Sequence, residues 1–130
     1  MDAGCPLCAA ARRRDSLASN EHAVALFDAY PVNPGHVLIV SKRHVADLFD
    51  LSLEEQTSLW ALLPTVKDAI DVQHSPAGYN VGANVGVAAG QTVGHDHVHV
   101  IPRYERDVDD PRGGVRWVLP KRADDWSPRE

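Results

Sequence analysis

Three histidines stand at alternate positions, His95, His97 and His99, inside Gly94-His95-Asp96-His97-Val98-His99-Val100-Ile101-Pro102-Arg103. On a β-strand, side chains two apart share a face, so the spacing predicts three imidazoles in a row, with Asp96, Val98 and Val100 pointing the other way. Neighbouring Cα atoms in such a row are about 6–7 Å apart. Two kinds of chemistry suit it. All three rings can ligate a metal, as strand-borne His-x-His pairs do for zinc. Alternatively one neutral imidazole, with a pKa near ~6.5, attacks an electrophile while its neighbours position it and stabilise charge. A row of solvent-facing histidines with no function is the third reading. The other group able to do chemistry is Cys5-x-x-Cys8, which holds both cysteines of the chain. It supplies two of the four ligands of a structural zinc site, or a redox pair, or simply two thiols.

The elements that must carry these residues are legible from pattern. Ala9 to Leu17 reads as a short Ala/Arg helix. Ala23 to Asp28 and His36 to Val40 read as strands, joined by the turn Tyr30-Pro31-Val32-Asn33-Pro34-Gly35. Ser52-Leu53-Glu54-Glu55 is a capping box, and a helix is expected from it to about Gln73. Leu59, Leu62, Leu63, Val66 and Ile70 fall on one face of that helix, and Pro64 should kink it. Tyr79 to Asn84 alternates as a third strand, and His95 to Ile101 forms a fourth. Gly86 to Thr92 is a loop of small residues between them. Trp117-Val118-Leu119 is expected as a short closing strand. A hairpin, then a helix, then further strands gives an α+β class with an antiparallel sheet.

The stretch Gln91-Thr92-Val93-Gly94-His95-Asp96-His97-Val98-His99-Val100-Ile101 resembles the signature of the histidine-triad superfamily. It departs from that signature at Asp96, where an apolar residue is usual. The resemblance continues upstream in Leu26-Phe27-Asp28, in Asn33-Pro34-Gly35-His36-Val37-Leu38-Ile39-Val40 and in Lys42-Arg43-His44. It spans Cys5 to Tyr104 and implies the histidine-triad fold: an antiparallel sheet of about five strands with one long and one short helix. It also implies a single domain over 1–130, with a cysteine-containing N-terminal segment over 1–20 and a C-terminal tail over 105–130.

The resemblance implies a nucleotide hydrolase or transferase acting at an α-phosphate. His97 would be the nucleophile, His99 would stabilise the phosphate, and His36 would complete the imidazole cluster. Thr92 would serve proton delivery to the leaving group. Asp28 would hold ribose hydroxyls, although a strand-ending Asp needs no function. Phe27, with Leu26 and Ala29, would line a purine slot. Asn84, Gly90 and Gln91 would approach phosphate or ribose. A bacterial subset of the family implies structural zinc on Cys5, Cys8, His44 and His95. The family further implies a homodimer built through the long helix and a strand, and a purine nucleotide as substrate. Rival readings are a zinc-stabilised nucleotide-binding module, a nucleotide phosphorylase, and a metal protein using the whole triad.

Composition narrows the partners. The 130 residues carry a net charge of −5, which argues against nucleic acid or an anionic membrane as the main partner. No apolar run reaches the length of a membrane span. No Gly-Lys-Ser/Thr follows the Gly86–Gly90 loop, so it is not a Walker loop, and no organic cofactor is expected. The first residues lack a secretory pattern, which makes cytoplasm the expected compartment. Arg12-Arg13-Arg14 reads as a solvated helix face. His22 and His74 read as surface residues. Sequence alone leaves unplaced Arg103, Arg112 and Arg116, which are candidates to approach a polyphosphate.

Overall fold

The continuous apolar run Val37-Leu38-Ile39-Val40 is what a strand needs when both its faces are covered. In the computed structural model, which describes residues 4–13 and 15–128, this run is the centre of the sheet. The five strands are β1 (Ala18–Ser19), β2 (Ala23–Phe27), β3 (Val37–Ser41), β4 (Gly78–Gly82) and β5 (His97–Arg103). They lie in the order β1-β2-β3-β5-β4, and every neighbouring pair is antiparallel. The helices are α1 (Pro6–Ala11), α2 (Leu53–Ala61) and α3 (Leu63–His74). The class is α+β, as the element order predicts.

Register assigns the two faces. His99 pairs with Leu38 and Leu38 with Leu26, while His97 pairs with Val40 and Val40 with Val24. These residues share one face, on which α1 packs Leu7, Ala10 and Ala11. The opposite face carries Ala23, Ala25, Val37, Ile39, Val98 and Val100. It buries Leu59, Leu62, Val66 and Ile70 of the helices, which forms the main core.

The capping box is present in both directions. Glu55 N–H donates to Ser52 Oγ at 3.1 Å, and Ser52 N–H donates to Glu55 Oε1 at 2.9 Å. The predicted kink is a break: α2 ends at Ala61, and its cap, Leu62, leads directly into α3. Pro64, in the first turn of α3, has no N–H to give and crowds the carbonyl one turn back.

Several elements differ from expectation. The first helix begins at Pro6 and ends at Ala11, because Cys5 accepts the Cys8 N–H as its cap and Pro6 favours the first helical position. The fifth strand is Ala18–Ser19, and the tail does not supply it. Trp117 and Val118 lie in a 3₁₀ turn, Gly114–Val118, entered through Gly113 at φ 95° and Gly114 at φ 48°. β4 stops at Gly82, short of Asn84, and β5 starts at His97, not His95. Arg12 and Arg13 are exposed, and Arg14 lies outside the described residues, as do 1–3 and 129–130 of the terminal segments. Among the described residues no helix is long and apolar enough to cross a membrane.

Candidate functional site

The row of three imidazoles divides into two clusters. His97 and His99, on β5, face the same side and their ring centroids are 5.0 Å apart. His36, immediately before β3, joins them, with its ring 5.2 Å from that of His99. His95 precedes the strand. It turns instead toward Cys5, Cys8 and His44. The cause is local. Asp96 N–H donates to Val45 O at 2.8 Å, outside the sheet, so strand pairing begins only after it.

Hydrogen bonds set the tautomer of each ring, because a carbonyl oxygen only accepts and a backbone N–H only donates. His97 Nδ1 lies 2.8 Å from the His95 carbonyl oxygen, so Nδ1 carries the proton and Nε2 keeps its lone pair. His36 Nδ1 accepts from Val32 N–H at 3.0 Å, so its proton is on Nε2. That Nε2–H donates to His99 Nδ1 at 3.0 Å. The His99 proton is therefore on Nε2. One face thus presents a nucleophilic nitrogen beside a donor, which is the pairing that attack on a phosphate with stabilisation of its oxygen requires.

Burial disfavours the charged forms of His99 and His36. It pushes the His99 pKa down to about 4, with the neighbouring charges of His97 and His36 acting in the same direction. His36 is 2% exposed, and burial also lowers its pKa, opposed by the Asp28 carboxylate. Asp28 Oδ2 stands 3.5 Å from His36 Nε2, while Oδ1 accepts the Tyr30 N–H at 2.9 Å. Asp28, His36 and His99 are close enough to share a metal ion. Their tautomers oppose it, since His36 Nε2 is protonated and the His99 Nδ1 lone pair already accepts the hydrogen bond from it.

The second cluster has the opposite character. His95 Nε2 donates to Ser41 O at 2.8 Å, which leaves the Nδ1 lone pair for a ligand. That Nδ1 is 3.4 Å from each cysteine sulfur and 3.2 Å from His44 Nδ1, and Cys8 Sγ is 3.1 Å from His44 Nδ1. All four donor atoms lie within 4.8 Å of one another. Tetrahedral zinc with Zn–S near 2.3 Å and Zn–N near 2.05 Å would separate its ligand atoms by about 3.3–3.8 Å. The observed edges are close to that. Two thiolates and two imidazoles are also the donor set that zinc takes in structural sites. Without a bound cation, burial raises the Cys5 pKa and lowers that of His95.

Asp96, the departure from the family pattern, is 2% exposed and faces Ser41. Ser41 Oγ is 2.6 Å from Arg43 O and also contacts Asp96 Oδ2. The single hydroxyl proton is shared between these two acceptors. Burial raises the Asp96 pKa, opposed by the hydrogen bond from Ser41.

The remaining sequence candidates are placed as follows. Gln91 braces its loop: its Nε2 donates to Ala46 O and Val93 O, and its Oε1 accepts from Gly86 N–H. Gly90 is exposed at φ 94°, a conformation that glycine adopts without strain. Thr92 is exposed and lines a cavity of about 380 Å³ with Cys5, His44 and Gly94. Asn84 is half-buried and lies two residues beyond the Gly82–His99 pair at which β4 ends. Phe27 pairs with Val37, which places it on the helix-facing side of the sheet, away from His97 and His99. Leu26 is the neighbour that shares their face.

The arginines are engaged within the fold. Arg103 grips Asp107 and Asn80. Arg112 pairs with Asp110 and lies over the Trp126 ring. Arg116 donates to Ala123 O and Arg122 O. Trp117 walls a cavity of about 660 Å³ that contains Ile101, further along β5 than His99. His74 is half-buried, its ring against Gly35. Sequence reasoning missed Val32, Ser41, Asn33 and Asp107. The only signal for any of them was Asn33 within the proline turn.

Both the sequence and the fold match known proteins. A family model for the HIT domain matches residues 12–106. The bis(5'-nucleosyl)-tetraphosphatase (asymmetrical) of Schizosaccharomyces pombe is 41% identical over 86 residues, covering 66% of this chain and 47% of that protein. An AP-4-A phosphorylase of Mycobacterium tuberculosis is 40% identical over 86 residues, covering 65% and 44%. The crystal structure of a HIT family protein from Bacillus anthracis superposes with a TM-score of 0.73 at 33% identity, covering 82% of this chain and 77% of the other. A Zn-bound histidine triad family protein from Mycobacterium smegmatis gives 0.68 at 31% identity, covering 80% and 78%. The chain spans between about half and 63% of the length of the first curated relatives it matches.

Proposed function

The chain belongs to the HIT-domain family, and from that premise we propose that it breaks the bond between a nucleoside α-phosphate and its leaving group by way of a nucleotidyl-His97 intermediate. The observation that carries this reading is the pair of opposed tautomers on one face, His97 with Nε2 unprotonated and His99 with Nε2 protonated.

In the first step the His97 Nε2 lone pair forms a bond to the α-phosphorus as the bond to the leaving group breaks. A polyphosphate leaves as its own anion. An amine leaving group needs a proton, for which Thr92 is the candidate route. The adduct makes the His97 ring cationic, and its Nδ1–H then donates more strongly to the His95 carbonyl oxygen. His99 Nε2–H donates to a non-bridging oxygen where negative charge builds. Asp28, at the edge of the cluster, offers a carboxylate to the ribose diol. In the second step water attacks phosphorus, releases the nucleoside monophosphate and returns neutral His97, with the water's proton passing to solvent.

The similarity to a phosphorylase supports a second reading, in which phosphate replaces water in the second step and the product is a nucleoside diphosphate.

Cys5, Cys8, His44 and His95 fit zinc and would hold it. When bound, the metal supplies a cross-link between the N-terminal knuckle and the residue whose carbonyl orients His97. Among the described residues no strand pairs with the outer edge of β4, and that edge, beside a hollow lined by Leu63, Pro64, Tyr79 and Val81, supports a homodimer. The reduced thiols that the knuckle needs support a cytoplasmic setting.

The test is product analysis of the wild type with diadenosine tetraphosphate and with an adenosine phosphoramidate, each with and without inorganic phosphate. AMP from either substrate supports the reading. ADP formed only with phosphate selects phosphorolysis. AMP binding with no product from either substrate selects the binding-module alternative.

A further inference from the structure

The proton pattern at His99 depends on a backbone amide, Val32 N–H, that lies in a proline-containing loop with no regular structure of its own. Something must hold that amide on His36. The structure supplies three tethers. Asn33 Nδ2 donates one hydrogen to Pro102 O at 3.1 Å and the other to Asp107 Oδ2 at 2.8 Å. Tyr104 Oη donates to Pro34 O at 2.6 Å. His36 N–H closes the turn on Asn33 O at 3.2 Å.

Asp107 is itself fixed. Arg103 meets it with two hydrogen bonds of 2.8 Å each, and Tyr104 N–H adds a third at 3.0 Å. Its side chain is 14% exposed, so these charge-assisted bonds act with little competition from water. Arg103 is anchored in turn on Asn80 Oδ1 of β4 at 2.7 Å. A continuous chain of contacts thus runs from the end of the β4–β5 pair through Asp107 and Asn33 to Val32 N–H, His36 and His99.

We propose that Asn33 and Asp107 are positioning residues for His99, holding the Val32–Gly35 loop so that the Val32 amide fixes His36, and through it His99, as Nε2–H donors. The role of His99 toward phosphate rests on the function proposed above, whereas the tautomer control does not. Neither residue need touch substrate. Groups that orient ligating side chains at metal sites are worth about 10–100-fold in activity, and a support acting through further contacts should fall at the low end of that range.

The test uses the full chain labelled with ¹⁵N-histidine and long-range ¹H–¹⁵N spectra, which report the protonated nitrogen of each ring. Wild type should show His36 and His99 both protonated at Nε2. Asn33→Ala should give mixed tautomers at His36 and lower kcat about tenfold, with KM within about twofold. Asn33→Asp should be worse, because it sets a carboxylate against Asp107. Asn33→Asp combined with Asp107→Asn restores a donor–acceptor pair and should recover part of the loss. Tyr104→Phe, which removes a single tether, should act in the same direction more weakly and gives a readable variant if Asn33→Ala does not fold. The proposal is overturned if wild-type His36 is protonated at Nδ1, or if Asn33→Ala and Tyr104→Phe keep the wild-type tautomers, whatever their activity. If the wild type turned over no conjugate, the function above would fail while the spectra still decided this inference.

Discussion

His97 Nδ1 lies 2.8 Å from the carbonyl oxygen of His95, the residue two positions earlier. The bond joins the two clusters: the backbone of a candidate metal ligand orients the candidate nucleophile. The knuckle and the proposed catalytic face are thereby linked through one residue, and the consequences separate cleanly by experiment.

His99→Ala removes the donor to the phosphate oxygen and leaves the nucleophile. Loss of one such donor typically costs about 10²–10³ in kcat. The expected result is a fall of that size with the adduct still forming slowly, read by rapid-quench kinetics. An unchanged kcat would remove His99 from the transition state.

Asp28→Asn should raise KM about tenfold for a ribonucleotide conjugate and leave a 2'-deoxy conjugate nearly unaffected, because the second hydrogen bond to the diol is absent in both cases. Equal loss on both substrates would show that Asp28 acts on His36, 3.5 Å away, and not on the sugar.

Stability should fall on acidification. His99 and His36 have folded-state pKa values below those of the unfolded chain, His99 at about 4. The unfolded chain therefore binds more protons between about pH 6.5 and pH 4, and stability falls through that window as pH drops. It is fully present above pH ~6.5. His99 contributes a slope of at most about 1.4 kcal/mol per pH unit, and less with its partial exposure. Urea melts at stepped pH should show this slope, and His99→Gln should flatten it.

Cys8→Ser or His44→Ala should abolish binding of one zinc per chain, measured by elemental analysis. Each should lower stability by about 2–4 kcal/mol, or roughly 10 °C in Tm. His97→Asn should keep its zinc. Loss of zinc in His97→Asn would mean that the metal uses the triad itself.

The shared face of His97 and His99 was legible because spacing on a strand is a strong signal, and register confirms it. The role of His95 was not legible in spacing alone. Its turn away from the strand depends on Asp96 N–H reaching Val45 O, a contact far away in sequence. Phe27 shows the same limit. Its type suggests a base slot, but one step along β2 decides the face, and Leu26 has the right parity. Gln91 is expected to approach phosphate or ribose, and spacing gives no sign that its Nε2 donates to Ala46 O and Val93 O. The first helix was misplaced because Ala and Arg favour a helix over a wide window, while the cap at Cys5 and the proline after it fix its start. The two-residue strand Ala18–Ser19 leaves no periodicity to read. The capping box and the break near Pro64 were legible because both are set by neighbours in sequence.

The central claim is that His97 carries the nucleotidyl group. The direct measurement is intact-protein and peptide mass spectrometry after rapid quench under conditions that preserve phosphoramidates, with wild type and His97→Asn each exposed to diadenosine tetraphosphate. The account predicts an adenylyl adduct on the peptide that contains His97 in wild type. It predicts neither adduct nor AMP release in the variant. AMP release by His97→Asn at a rate near that of the wild type, or an adduct on another residue, would contradict it.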